Sequence, residues 1–262
     1  MNKQPIGIFD SGVGGLSIWS EIKALLPNEN TIYLADSANA PYGNKTTQEI
    51  VALCIKNTEL LISKGCKLIV VACNTATTNA ISVLRARYKV PFIGIEPAIK
   101  PASLQTKTNR IGILATKGTL NSRLFAETSK KHLINCKIIE QVGEGLVPLI
   151  ENGKLHSNKT KQLLVKYIQP MLDQEVDCLV LGCTHYPFLI PMIQEMTNGK
   201  MTIIDSGLAV ARQTKAVLIK ENMLATLPQD TTHQLYSNTQ LNTIQILLAS
   251  IPKNVALKFK DF

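Results

Sequence analysis

No apolar run in this 262-residue chain approaches the roughly eighteen residues that a membrane-spanning helix needs. The first stretch, MNKQPIGIFDSG, has no apolar core of a secretory signal and enters a strand-like run almost at once. An unexported, cytoplasmic chain is therefore expected, with no membrane partner. Its six cysteines, at 54, 66, 73, 136, 178 and 183, should be reduced thiols there. No pair has CxxC spacing, and the closest two are Cys178 and Cys183. Cys183 and His185 put a thiol near an imidazole, but no second pair supplies the other ligands of a zinc site. No metal is expected. Cys54, Cys66, Cys136 and Cys178 fall inside apolar patterns and read as small core residues.

A basic stripe with interleaved aromatics is also missing. Aromatics make up 5% of the chain, and 28 basic residues stand against 19 acidic ones. The excess is spread over helix faces and loops, as in Lys154, Lys159, Lys161 and Lys166. That distribution argues against nucleic acid as a partner and leaves a general attraction for small anions. No Gly/Ser or Pro linker of any length divides the chain. With 45% apolar and 18% charged residues, it can bury a full core, in two lobes held in close contact.

What the chain does have is two cysteine loops in matching contexts. VVACNTATT ends at Thr78 and LVLGCTHYP ends at Pro187. In each, an apolar run stops on a small residue and then a cysteine: Ala72-Cys73 and Gly182-Cys183. Such a run, rich in β-branched residues, reads as a strand covered on both faces. Both cysteines then sit at the carboxyl ends of strands, where open α/β sheets bind ligands.

The rest of the chain falls into two similar halves. PIGIF (5–9) reads as a strand, followed by the glycine loop Asp10-Ser-Gly-Val-Gly-Gly15 and a helix that stops at Pro27. Glycines between a strand and a helix let backbone approach an anion at the helix N-terminus. The spacing is not a dinucleotide fingerprint, and Asp10 would repel a phosphate but suit an ammonium group. A helix cap is the plainer reading of Asp10. Strands follow at 31–35, 67–72 and 91–95, with a helix between the first two that opens on the capping box Thr46-x-x-Glu49. The loop DSANAPYG (36–43) is long for a strand-to-helix connection, which marks it as functional.

RIGILATKGT then repeats the pattern of PIGIFDSGVGG, with later strands at 136–140, 177–182 and 201–205. Ile8 to Cys73 is 65 residues and Ile113 to Cys183 is 70, while Cys73 to Pro91 and Cys183 to Met201 are both 18. The expected fold is α/β: two pseudo-symmetric lobes with mainly parallel sheets flanked by helices and a cleft between them. The tail, with strands at 233–237 and 255–259, returns to the first lobe. The expected lobes are 1–96 with 208–262, and 97–207.

Two thiols across a cleft suit a substrate held between an acid and a base. Removing a proton from one face of a carbon and returning one to the other inverts its configuration. A free thiol of pKa near ~8.5 is only about 3% thiolate at neutral pH, so each cysteine needs help. Helix-end amides or a cation can supply roughly 2 kcal/mol of it. A strand-end cysteine that enters a helix has such amides. His185 is placed to act as cation or proton partner to Cys183. A single nucleophilic cysteine, as in an amidase, would leave Cys73 idle.

GIFDSGVGGLS (7–17), YLADSANAPYG (33–43), VVACNTAT (70–77), GLVPLIE (145–151) and LGCTHYP (181–187) together resemble the cofactor-independent aspartate/glutamate racemases, and most closely the bacterial glutamate racemases. The resemblance implies a two-base racemase without pyridoxal phosphate, any other cofactor or metal, acting on glutamate for peptidoglycan. It makes Cys73 and Cys183 the catalytic pair, tuned by Asp10 and His185 respectively. It places Asp10, Ser11, Tyr42, Gly43, Asn74, Thr75, Thr184 and His185 on the substrate, with Thr116, Thr119 and Glu151 as further pocket positions. A homodimer is the expected assembly. The residues alone leave an aspartate racemase, or a non-catalytic amino-acid binder, as alternatives.

Overall fold

The computed structural model describes residues 3–132, 136–226, 230–249 and 251–262; the first two residues of the opening MNKQP segment lie outside these. Ten strands are formed. They are β1 (Ile6–Asp10), β2 (Thr31–Ala35), β3 (Leu68–Val71), β4 (Phe92–Gly94), β5 (Arg110–Ala115), β6 (Lys137–Val142), β7 (Cys178–Gly182), β8 (Thr202–Ile204), β9 (His233–Ser237) and β10 (Val255–Phe259).

They make two sheets, one in the order β10-β9-β2-β1-β3-β4 and the other β6-β5-β7-β8. Every pairing in both is parallel. Parallel strands need covering on both faces. Accordingly β1, β2, β3 and β7 are buried along their whole length. The order β2-β1-β3-β4 is matched by β6-β5-β7-β8, so the near-equal sequence spacings correspond to one topology used twice. Strands β9 and β10 extend the first sheet beyond β2.

In each sheet the connections run to opposite sides of the first strand. A crevice therefore opens at the carboxyl ends of β1 and β3, and again at those of β5 and β7. Local signals set the helices between. The capping box of the helix Thr47–Ser63 is complete, and Gly65 at φ +75° ends that segment. The helix Leu16–Leu25 buries Leu16, Ile18, Trp19 and Ile22 against the first sheet. Among the described residues, no helix is long and apolar enough to cross a membrane.

One expectation fails in an instructive way. The two cysteine loops do not enter helices alike. The helix Asn74–Arg87 starts directly after Cys73. After Cys183 come a 3-10 turn, Tyr186–Leu189, and only then the helix Ile190–Thr197. Pro191 has no N–H to give to the carbonyl of Pro187, so a continuous α-helix from Tyr186 would lack that hydrogen bond, and Pro191 sits instead in the first turn of the later helix.

Candidate active site

Cys73 is the N-cap of its helix. Its extended backbone (φ −136°, ψ 122°) turns Sγ back to accept the N–H of Ala76 at 3.4 Å. The thiol also donates to Ser11 Oγ at 3.5 Å. Behind it stands Asp10, the last residue of β1. Asp10 Oδ2 accepts the amides of Gly12 (3.2 Å) and Gly15 (2.9 Å), and Oδ1 accepts the Thr184 hydroxyl at 3.3 Å. The cap and the loop around it are thus one feature.

Burial pushes Asp10 up to about 6, against the pull of the His185 charge, the Gly15 amide and the Cys73 hydrogen bond. Burial likewise drives the Cys73 thiol well above its ordinary value, and the Asp10 charge adds to this. Ser11 and the Ala76 amide pull it back down.

Cys183 is served differently. The Nδ1 of His185 lies 3.7 Å from its Sγ, and Nε2 lies 2.5 Å from Glu151 Oε1. Burial disfavours an imidazolium here, but the hydrogen bonds and charges of Cys183 and Glu151 outweigh it. The His185 pKa is raised well above the ordinary range. The ring is therefore a cation between a sulfur and a carboxylate, the setting that favours a thiolate. Glu151 is held in turn, accepting Val13 N–H on Oε1 (2.7 Å) and the Ser37 hydroxyl on Oε2 (2.8 Å). Both of those donors follow strands of the first sheet, whereas Cys183 and His185 follow β7 in the second.

Both cysteines line one small cavity. Ser11, Tyr42, Gly43, Asn74, Thr75, Thr116, Thr119, Thr184 and His185 share its wall. The amide oxygen and nitrogen of Asn74 are buried and lack any partner within the protein. Buried polar atoms are rarely left so unless a ligand or water meets them. The hydroxyls of Thr75, Thr116 and Thr119 form a triangle with sides of 2.9, 3.0 and 3.4 Å. None of the lining residues is Lys or Arg. An anionic ligand would meet neutral hydroxyls, an amide and the first turn of the Asn74 helix.

Two of the expected site residues stand outside the wall. Asp10 and Glu151 lie behind Cys73 and His185 and do not line the cavity. Both carboxylate oxygens of Asp10 are already engaged, so the geometry gives it to Cys73 and not to a substrate ammonium. Tyr42 presents its ring only. Its hydroxyl donates to Asp36 at 2.5 Å and accepts from Asn57 at 3.2 Å, both buried. Sequence reasoning missed Asp36 and Asn57. The long loop that holds Asp36 was flagged, but nothing in it tells a buried tyrosine anchor from a ligand. Pro41, Val147 and Gly182 complete the wall, Val147 from within GLVPLIE. Among the described residues, no group of three or more His, Cys, Asp or Glu could hold a metal ion.

These features agree with what the chain is similar to. Residues 14–214 match the Asp/Glu/Hydantoin racemase family model. The chain is 44% identical to the glutamate racemase of Ectopseudomonas mendocina over 94% of both proteins. It superimposes with a TM-score of 0.84 on the Escherichia coli glutamate racemase solved with L-glutamate and the activator UDP-MurNAc-ala, at 32% identity and 97% coverage of each chain. The Francisella tularensis glutamate racemase solved with D-glutamate gives a TM-score of 0.84 at 26% identity, covering 100% of this chain and 98% of that one. With matched strand-end thiols on a shared cavity and a family match over most of its length, this chain belongs to the Asp/Glu/Hydantoin racemase family.

Proposed function

We propose that the protein is a glutamate racemase that interconverts L- and D-glutamate with two cysteines and no cofactor. The observation that carries this is the pair of strand-end thiols, Cys73 and Cys183, on the wall of one shared cavity. The substrate Cα would lie between them. One thiolate removes the α-proton, leaving a carbanion, and the opposite thiol delivers its own proton to the other face. The enzyme ends with the two protonation states exchanged, so each direction regenerates the state the other needs.

We assign the raised Cys73 thiol the role of acid, and Cys183, with His185 Nδ1 3.7 Å from its sulfur, that of base. Following the family resemblance, this state takes L-glutamate, and the reverse state takes D-glutamate. Asn74 and the Thr75, Thr116, Thr119 cluster are assigned to the substrate carboxylates, with Ser11, Gly43 and Thr184 completing its polar contacts. Tyr42 forms a wall by its ring. Asp10 and Glu151 act through Cys73 and His185.

The catalytic unit is read as two lobes, 1–96 with 208–262 and 97–207, because β9 and β10 pair into the first sheet. The protein is placed in the cytoplasm as a homodimer that supplies D-glutamate for peptidoglycan. Circular dichroism of L-glutamate with purified protein and no added cofactor tests the reading. Decay of the signal to zero is the expected result. Inversion of L-aspartate but not L-glutamate would replace it with an aspartate racemase.

A further inference from the structure

The glycine loop after β1 is built as if to receive an anion, and one is present: the protein's own Glu151, on the amide of Val13. The glycines on either side of Val13 make room for this. A Cβ on Gly12 would sit 1.9 Å from Glu151 Oε1. One on Gly14 would sit 2.2 Å from His185 Nδ1 and 2.6 Å from both Cγ and Cε1. Backbone at these two positions is thus packed flat against the carboxylate and the imidazole. Neither glycine has a positive φ, so space and not conformation is what requires them.

We propose that Gly12 and Gly14 are positioning residues for the Cys183–His185–Glu151 chain, their missing side chains fixing where the carboxylate and the ring can lie. The inference rests on the racemase reading and deepens it on the Cys183 side. A Cβ at position 14 must displace either the loop or the ring. The loop is pinned on several sides. Gly14 O accepts Ser17 N–H (3.1 Å) and the Ser17 hydroxyl (2.9 Å). Gly12 O accepts the Tyr33 hydroxyl at 2.6 Å, and Gly15 N–H binds Asp10. The Ser17 hydroxyl also reaches Thr184 O at 3.0 Å, tying this loop to the Cys183 loop. The polar contacts of the ring are those of its two nitrogens, to Cys183 and Glu151, and in the proposal it is the ring that gives way, so that Nδ1 leaves Cys183.

The test is alkylation of each cysteine by iodoacetamide at neutral pH, resolved by mass spectrometry. Wild type, Gly14→Ala, His185→Ala and the double variant are compared. Loss of the His185 contact should slow Cys183 about tenfold in Gly14→Ala, since a thiol that loses a neighbouring imidazole loses reactivity. Cys73 should change less than about twofold, since its partners are Ser11, Asp10 and Ala76 N–H. The double variant should react no more slowly at Cys183 than His185→Ala alone, because removing the ring makes room for the methyl group.

Thermal melting of the same set is the second readout, and His185→Ala should recover the stability that Gly14→Ala loses. The proposal is overturned if Cys183 keeps its rate in Gly14→Ala. Equal slowing of both cysteines, or a Gly14→Ala variant unfolded in both backgrounds, overturns it too. Glutamate inversion is measured alongside. A wild type that leaves glutamate unchanged would defeat the racemase reading while the thiol rates still decide this one.

Discussion

Asp10 is a charge the fold holds at a cost, and Asp10→Asn measures it. The carboxyl is fully buried and its pKa rises from 3.8 to about 6. A carboxyl whose folded pKa is raised binds its proton more tightly in the folded state. Its favourable contribution is therefore complete below the unfolded pKa. It is lost as pH climbs from about 4 to about 6. Two units correspond to about 3 kcal/mol, fully lost at pH 8 and absent as a penalty at pH 4.

Asparagine has the same shape. Its oxygen can accept the Gly12 and Gly15 amides that Oδ2 accepts, and its NH₂ can face the Thr184 hydroxyl oxygen. Urea unfolding of wild type and Asp10→Asn at pH 4 and pH 8 isolates the charge. The variant should gain on wild type by up to about 3 kcal/mol between the two pH values. It should also lose turnover, since the Asp10 charge no longer acts on Cys73. A stability difference that is the same at both pH values would refute the reasoning. It would mean that Asp10 is either uncharged throughout or solvated well enough to be charged for nothing.

Three further outcomes are expected. Cys73→Ala and Cys183→Ala should each lose racemisation, and each surviving thiol should exchange the α-proton of one enantiomer in D₂O, with opposite preferences. Substantial racemisation by either variant would point to a single-thiol mechanism. His185→Asn should depress kcat more in the direction that uses Cys183 as base, with a changed isotope effect in that direction. An unchanged kcat both ways would remove His185 from the chemistry. Lys67→Met should cost about 3–5 kcal/mol in urea unfolding, because it strands Glu29 without its partner. Lys67 Nζ lies 2.6 Å from Glu29 Oε2, both side chains 1% exposed. A loss under about 1 kcal/mol would show the pair behaving like a surface one.

How much of this was legible in the sequence follows from which forces are local. Apolar runs bounded by turn residues placed nine of the ten described strands to within about two residues, and β1, β2, β3 and β7, buried along their whole length, left the clearest apolar record. Equal spacings carried the doubled topology. Eleven of the thirteen expected site residues came together on one wall for a simple reason. Strand ends in a parallel sheet converge, so a motif at a strand end has its place fixed by topology.

What was not legible depends on contacts between residues far apart in the chain. Glu151 meets Val13 across 138 positions and Ser37 across 114. No periodicity records such a meeting. Lys67, the first residue of the expected strand 67–72, lies buried against Glu29 and the carbonyl of Met223, partners that no local pattern names. The glycines of the first loop gave a correct physical inference, close approach of backbone to an anion, and the wrong anion.

The two halves share a scaffold but not a way of handling a proton, and the reaction explains why both are useful. Cys73 has a helix N-terminus and a hydroxyl to stabilise a thiolate, opposed by burial and by the charge of Asp10. It can become a base only when that charge is neutralised, and an Asp10 carboxyl near pKa 6 can take a proton at little cost. Cys183 lost its helix to Pro187 and Pro191 and has a cation instead. Two identical half-sites would share their single mobile proton evenly and rest in a mixture of states. Under the proposed two-base mechanism, two different ones hold it unequally, and the enantiomer that needs the other state must find the proton moved. The Thr184 hydroxyl on Asp10, from the loop that carries Cys183, joins the two sides of the cavity.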